Sequence, residues 1–140
     1  MNIRKLGSGD VNALLEAGDL FDETPSVEHA NTFLGSAGNH CLIAYVDGMP
    51  AGFVTGIEIS HPDKSTEMLL YELGVDPRWR LTGIGKALVA ALGAEAKEAG
   101  LRGMWVLTEP DNHPARATYE AAAAEETEDA VVYEWRFDHA

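Results

Sequence analysis

Val75-Asp76-Pro77-Arg78-Trp79-Arg80-Leu81-Thr82-Gly83-Ile84-Gly85-Lys86 decides how this chain is read. It joins a strand-like apolar run, Met68 to Val75, to a helix-like run that continues to about Gly100. A strand, a tight loop and a helix start in that order leave unpaired backbone N–H groups and a partial positive charge at the helix N-terminus. Gly83 and Gly85 stand where side chains would hold an anion away from those amides, and Arg78, Arg80 and Lys86 lie in or beside the loop. The stretch is therefore a candidate pyrophosphate cradle. It is not a Walker loop, because Arg80 occupies the place of the first glycine and Ala87 that of the magnesium-binding hydroxyl. Nor is it a dinucleotide fingerprint, since Leu88 stands where the third glycine is needed.

Outward from the loop, the helix carries Ile84, Leu88, Leu92 and Ala96 on one stripe, with Ala87, Ala91 and Ala99 beside it, and Gly100 suits its C-terminus. Met104 to Thr108 reads as a continuous apolar strand, parallel to the one before the loop because a single helix separates them. On the N-terminal side, Asn2 to Leu6 reads as a first strand. A helix from Ser8 carries Val11, Leu14 and Leu15, and a second, opened by Thr24-Pro25, runs to about Leu34. His40 to Val46 and Pro50 to Ile59 read as an antiparallel hairpin about Asp47-Gly48-Met49. Pro114 to about Ala123 reads as a helix, and Val131 to Phe137 as a last strand.

Composition narrows the class. At 140 residues the chain is one domain with room for one sizeable core. No apolar run approaches the roughly 18 to 20 residues of a membrane span, and Met1 to Leu6 lacks the apolar core of a secretory signal, so a cytoplasmic protein is expected. Ten Lys and Arg against 23 Asp and Glu give −13, which speaks against nucleic acid or an anionic membrane as partner. Leu6 to Asp63 holds nine acids and no Lys or Arg, and Ala117 to Ala140 holds seven acids against Arg136 alone. An anionic ligand at the centre and a cationic one at the edges would suit that distribution; acidity for solubility is the competing reading. Cys41, the one cysteine, lies in an apolar run with nothing cationic adjoining it, and a buried, inert thiol is expected. His29, His40, His61, His113 and His139 form no His-x-x-x-His pair and no Cys-x-x-Cys accompanies them, so no metal site is implied.

Val75, Pro77, Arg80, Gly83 and Gly85 match the signature R/Q-x-x-G-x-G/A after a V-x-P strand end, and the chain resembles the GNAT acetyltransferase superfamily. The order strand, two helices, three antiparallel strands, helix, strand, helix and terminal strand extends the resemblance over nearly the whole length. It implies an α/β fold with a central, mostly antiparallel sheet, one splayed parallel strand pair and flanking helices. Within the superfamily, Leu20 to Glu23, His40 to Ala44, Thr66 to Val75 and the Asn112 to Tyr119 segment resemble the type I aminoglycoside 3-N-acetyltransferases, whose corresponding strand reads S-E-I-Y-I-Y-D-L-A-V.

The resemblance implies an acetyl-CoA-dependent N-acetyltransferase without a metal, acting on a primary amine of a cationic small molecule. It also implies a possible homodimer. Leu73 and Val75 would offer backbone groups to the pantetheine arm and the thioester. Arg80, Leu81, Thr82, Gly83, Ile84, Gly85 and Lys86 would hold the pyrophosphate, with Asn112 also on the cofactor. Glu72 stands where that group has an aspartate and is the candidate general base, acting through a water; otherwise it is an ordinary strand carboxylate. Tyr119, seven residues after Asn112, is the candidate general acid, since a phenol of pKa near 10 can protonate a departing thiolate; otherwise its ring packs on the sheet. The family's usual Gly-Phe after this helix is replaced by Ala123 and Ala124. Asp22, Glu23, Asp111, Glu125 and Glu126, with Glu128 and Asp129, are candidates for a cationic substrate, each singly readable as a solvated surface charge. The resemblance implies an aminoglycoside, acetylated at its 3-amine, as the acceptor; a polyamine, an amino acid or a protein N-terminus is the alternative acceptor, and a non-catalytic acyl-CoA-binding module is a further alternative.

Overall fold

The computed structural model describes residues 1–128 and 130–137. Five strands and four α-helices follow one another as β1 (Asn2–Lys5), α1 (Val11–Glu16), α2 (Val27–Gly35), β2 (Asn39–Val46), β3 (Met49–Ile59), β4 (Glu67–Val75), α3 (Ile84–Glu98), β5 (Met104–Trp105) and α4 (His113–Ala121), with short 3-10 turns at Gly18–Leu20 and Pro77–Trp79. The strands form one sheet in the order β1-β2-β3-β4-β5, antiparallel except for the β4–β5 pair. The expected mixed sheet with one parallel pair and flanking helices is present.

Strand alternation divides the core between the two faces of the sheet. Leu42, Ala44, Val54, Met68 and Leu70 face α3, whose Ile84, Leu88, Leu92 and Ala96 complete one buried cluster. Cys41, Ile43 and Phe53 face the other way, against Leu14, Ala17, Ala30 and Leu34 of the N-terminal helices. The β2–β3 hairpin closes through Asp47 and Gly48, both left-handed at φ 51° and 77°, the two-residue turn whose twist suits antiparallel strands. Gly100, at φ 77°, ends α3: Leu101 N–H donates to the Ala96 carbonyl at 3.0 Å and Gly100 N–H to that of Lys97 at 3.1 Å.

The structure corrects four local expectations. The first helix starts at Val11, and Asp10 is spent on the Gly7 amide at 2.7 Å and on Arg4 at 2.6 Å. The second starts at Val27, because Ser26, not Thr24, provides the cap that accepts from His29 N–H at 3.0 Å. The strand expected over Met104–Thr108 pairs only at Met104 and Trp105, opposite Met68 and Leu69, after which β4 and β5 part. Val131 to Phe137, strand-like in composition, forms no strand and lies exposed. β-branched and aromatic composition states a preference for a pleated surface, which tertiary context overrides here.

Candidate active site

Divergence of β4 from β5 after Leu69 leaves one edge of Leu70 to Val75 without a strand partner. Opposite, the β3 register shifts between Thr55 and Gly56: Gly56 pairs with Leu70 and Thr55 with Glu72, so Tyr71 is a bulge. Thr55, buried and not foreseen from the sequence, accepts a hydrogen bond from Glu72 N–H at 3.1 Å. With that N–H turned toward β3, alternation turns the Leu73 N–H toward the open edge. Backbone groups of Leu73 and Val75 thus border the gap, while their side chains pack on the α3 face.

Glu72 lines a small pocket on the opposite face, with Leu20, Asp22, Phe53, Leu73 and Gly74. The Leu20–Glu23 loop reaches it because the Phe21 and Phe53 rings stack with centroids 4.1 Å apart and because Gly74 has no side chain. A Cβ at Gly74 would lie 2.5 Å from a Phe53 ring carbon and 3.1 Å from the Leu20 carbonyl oxygen. Glu72 opens to solvent at the pocket mouth, yet partial desolvation and then the Asp22 carboxylate push its pKa up, against a smaller lowering by the Thr55 hydroxyl. A carboxyl raised in this way is a better proton acceptor near neutral pH. Cys41, beneath this face, is pushed up to about 12 by burial and then by Glu72, so its thiol stays protonated and inert as expected.

The cradle loop lies at the other end of the opening. Gly83 is the N-cap of α3 at φ 87°, in the left-handed region, and gives no side-chain cap to the first-turn amides. Arg78 is committed to Asp76, to which it is bonded at 2.8 to 3.2 Å, and the carboxyl is lowered accordingly. Arg80 and Lys86 form no ion pair among the described residues, and both are exposed. Thr82 Oγ1 donates to the Trp79 carbonyl, closing the loop, and Leu81 stands fully exposed with φ 63°. Gly85 lets α4 approach, since a Cβ there would come within 3.3 Å of Thr118 Cγ2. First-turn amides without a side-chain cap, two cations outside any ion pair among the described residues and no side chain at either glycine fit a pyrophosphate.

Tyr119 is half-buried on the α3 face, packed against the cluster of Ile84 and Leu88, and burial pushes its phenol up. The ring therefore packs on the sheet, and the hydroxyl is kept protonated. Asn112 Oδ1 caps α4 by accepting from Ala115 N–H at 3.2 Å. Among the acidic candidates, only Asp22 joins Glu72 in the pocket. Glu23, Asp111 and Glu125 are exposed and line no part of it. Glu126 is held by Arg116 at 2.7 Å, Glu128 is exposed, and Asp129 lies outside the described residues.

Among the described residues, no group of three His, Cys, Asp or Glu is placed to hold a metal. His40 and His61 each meet a single carboxylate instead, Glu58 at 2.6 Å and Glu67 at 3.2 Å. No helix among those residues is long and apolar enough to cross a membrane.

A strand bulge, a splayed parallel pair and a glycine-capped helix after that strand agree with the frame that the resemblance implies. Residues 12–123 match the Acetyltransferase (GNAT) family, and the chain belongs to that family and is an acyltransferase. It is 32% identical over 100 residues, 68% of each chain, to the aminoglycoside N(6′)-acetyltransferase type 1 of Salmonella typhimurium. Its fold superposes with a TM-score of 0.80 on aminoglycoside acetyltransferase AAC(6′)-Iy in complex with a bisubstrate analogue, CoA-S-monomethyl-acetylneamine, at 25% identity over 97% of this chain and 98% of that one. A soil-metagenome aminoglycoside acetyltransferase, crystallised with trehalose, shares the fold at a TM-score of 0.85 and 22% identity, covering 96% of both chains. The Salmonella relative and AAC(6′)-Iy are 6′-N-acetyltransferases by name, so the 3-N subgroup read from Leu20 to Glu23, His40 to Ala44, Asn112 to Tyr119 and above all Thr66 to Val75 is not supported. That strand gives the pocket Glu72, Leu73 and Gly74, while Leu20, Asp22 and Phe53, the rest of its lining, come from other segments.

Proposed function

We propose that this protein transfers an acetyl group from acetyl-CoA to the 6′-amino group of an aminoglycoside. The observation that carries the reading is the placing of two carboxylates, Asp22 and Glu72, in one pocket beside the open edge of β4. The cationic cradle of Arg80 and Lys86 starts the helix that follows that strand. An acidic recess concentrates a polyamine, and a basic helix N-terminus concentrates a polyphosphate. The 6′ position comes from the named relatives, and the donor from the family and the fit of the cradle.

Acetyl-CoA supplies an activated acetyl thioester. Asp22 and Glu72 draw in the substrate ammonium, and Glu72 removes its proton through a water, freeing the nitrogen lone pair to attack the carbonyl carbon. The Leu73 N–H, directed into the gap, stabilises the carbonyl oxygen as negative charge gathers there. As the C–N bond forms and the C–S bond breaks, Tyr119 gives its proton to the departing sulfur, and the second proton of the attacking nitrogen, released through water, restores the phenol; its raised pKa keeps the phenol protonated at neutral pH. The remaining acceptor classes, a polyamine, an amino acid or a protein N-terminus, lack the 6′-amino sugar.

Free-thiol release from acetyl-CoA across a panel tests the proposal: a matched pair of aminoglycosides bearing 6′-amino or 6′-hydroxyl, then spermidine, lysine and a short peptide. Release with the 6′-amino compound and none with its hydroxyl partner is expected, weakening as salt screens the acidic pocket. Release on another amine alone reassigns the acceptor. Acetyl-CoA binding with no release on any amine supports the non-catalytic alternative.

A further inference from the structure

Thr55 and His40 are the two polar side chains buried in the core among the described residues. His40 meets Glu58 at 2.6 Å, whereas Thr55, 3% exposed, turns to Glu72. A buried hydroxyl needs partners for its lone pair and for its proton, and Glu72 supplies both. Its N–H donates to Thr55 Oγ1 at 3.1 Å, where a regular ladder would send it to a backbone carbonyl of β3. The Thr55 proton goes to the Glu72 carboxylate: desolvation and then Asp22 raise that carboxyl's pKa, and the hydrogen bond from Thr55 opposes them. Asp22, from the Leu20–Glu23 loop, and Cys41, opposite Thr55 on β2, are the titratable groups acting on Glu72, and neither supplies a positive charge.

The bulge decides which face of the sheet Glu72 occupies. Met68 and Leu70 face α3, and so do Leu73 and Val75, so the alternation of β4 slips by one residue at Tyr71. Without the slip, Glu72 would follow Leu70 into the apolar cluster under α3. With it, Glu72 lies in the pocket beside Asp22, and Thr55 is the residue it pairs with across the slip.

We propose that Thr55 is a positioning residue for Glu72: by accepting from the Glu72 N–H its hydroxyl holds the bulge, and by donating to the carboxylate it holds that group toward the substrate pocket. The role rests on the reading of Glu72 as general base. Its β-branch restricts χ1 and suits the strand, so the oxygen is set by backbone and packing before any ligand arrives. One oxygen thereby ties the register of β4 to the aim of the proposed base. Valine has nearly the outline of threonine and can make neither bond; serine keeps both.

Titrating Glu72 in the full chain tests the role without requiring an acceptor. Side-chain carboxyl carbons of glutamate are labelled with carbon-13, the Glu72 signal is identified by its loss in Glu72→Gln, and its midpoint is followed by nuclear magnetic resonance in the unaltered protein, Thr55→Val and Thr55→Ser. The midpoint is expected to rise by about one pH unit in Thr55→Val, a roughly 10-fold gain in proton affinity, because the hydrogen bond to the charged form is gone. Thr55→Ser is expected to titrate like the unaltered protein, and the Glu72 amide to exchange with solvent faster in the valine variant alone. Far-ultraviolet circular dichroism reports whether Thr55→Val folds; if it does not, Thr55→Ala carries the same comparison. A folded valine or alanine variant with an unmoved Glu72 midpoint, or a serine variant that behaves like valine, overturns the inference and leaves Glu72 in its proposed role. With whichever amine supports thiol release, the acidic limb of kcat/KM is expected to move by the same interval while acetyl-CoA affinity stays constant. A moved midpoint with a stationary limb removes Glu72 as the base, and the positioning role with it.

Discussion

Replacing Glu72 with glutamine removes one charge and preserves the shape of the side chain, so it isolates the proposed base. General-base assistance contributes about 10² to 10⁴-fold, and turnover at neutral pH is expected to fall by about 10²-fold or more, equivalent to about 2.7 kcal/mol in the barrier. Stability should move the other way. The Glu72 pKa is raised first by desolvation and then by Asp22, so its ionised form is disfavoured in the folded state. The unfavourable contribution is absent below the unfolded pKa and fully present above the folded one, so Glu72→Gln relieves it at neutral pH. The Thr55 hydroxyl opposes the shift only in part. Acetyl-CoA affinity should be unchanged, because the cradle lies on the Arg80–Lys86 loop and not in the Glu72 pocket. In the unaltered enzyme, kcat/KM should fall on acidification through the raised pKa, and in the variant that limb should flatten. Steady-state kinetics against pH, thermal melting and acetyl-CoA titration read the three quantities. A variant with full activity and an unaltered acidic limb refutes the assignment; one that has lost activity together with its melting transition would trace the loss to folding.

Tyr119→Phe keeps the packed ring and removes the acid, so kcat should fall roughly 10 to 10²-fold with little change in acetyl-CoA affinity, read by thiol-release kinetics and titration. Arg80→Ala should raise the KM for acetyl-CoA about 10-fold while leaving the aminoglycoside KM nearly constant, because a charge-assisted hydrogen bond to phosphate is lost and the acidic pocket is untouched. Gly74→Ala introduces a Cβ 2.5 Å from the Phe53 ring; it should destabilise by about 1 to 3 kcal/mol and displace the Asp22 loop, lowering the melting temperature and raising the aminoglycoside KM together. Ala123→Gly should stabilise by about 1 kcal/mol in denaturant titration, since Ala123 sits at φ 69° just after α4, where left-handed backbone costs an L residue and glycine little.

The cradle was legible in the sequence because its information is local: Gly83 and Gly85 at fixed spacing, cations beside them, and an apolar stripe that makes the next helix. Glu72 could be singled out from its strand, but its partnership with Asp22 could not. That depends on the Phe21–Phe53 stack and on the side chain missing at Gly74, contacts between segments 21 to 54 residues apart in chain order. Thr55 escaped notice for a related reason: a threonine in an apolar strand carries no signal until the register opposite it is known. Asn112 shows the converse, a motif residue whose position was right and whose side chain caps a helix. The Ala123 and Ala124 departure was also visible, but only the backbone reveals that the family's glycine is replaced at a left-handed position. There Ala123 N–H donates to the Glu120 carbonyl and Ala124 N–H to that of Tyr119, both at 3.0 Å. Val131 to Phe137 read as a strand because β-branched and aromatic residues fit a pleated surface, but composition does not state which edge supplies the ladder.

The acceptor assignment is tested most directly by locating the transferred group. Incubating the protein with acetyl-CoA labelled in the acetyl carbonyl and an aminoglycoside bearing free 6′-, 3- and 2′-amines, then mapping the product by nuclear magnetic resonance, gives the position outright. A single acetyl group on the 6′ nitrogen is predicted, with the yield abolished or strongly reduced in Glu72→Gln. Acetylation at the 3-amine or another ring nitrogen, or no labelled product from an enzyme that binds acetyl-CoA, would contradict it.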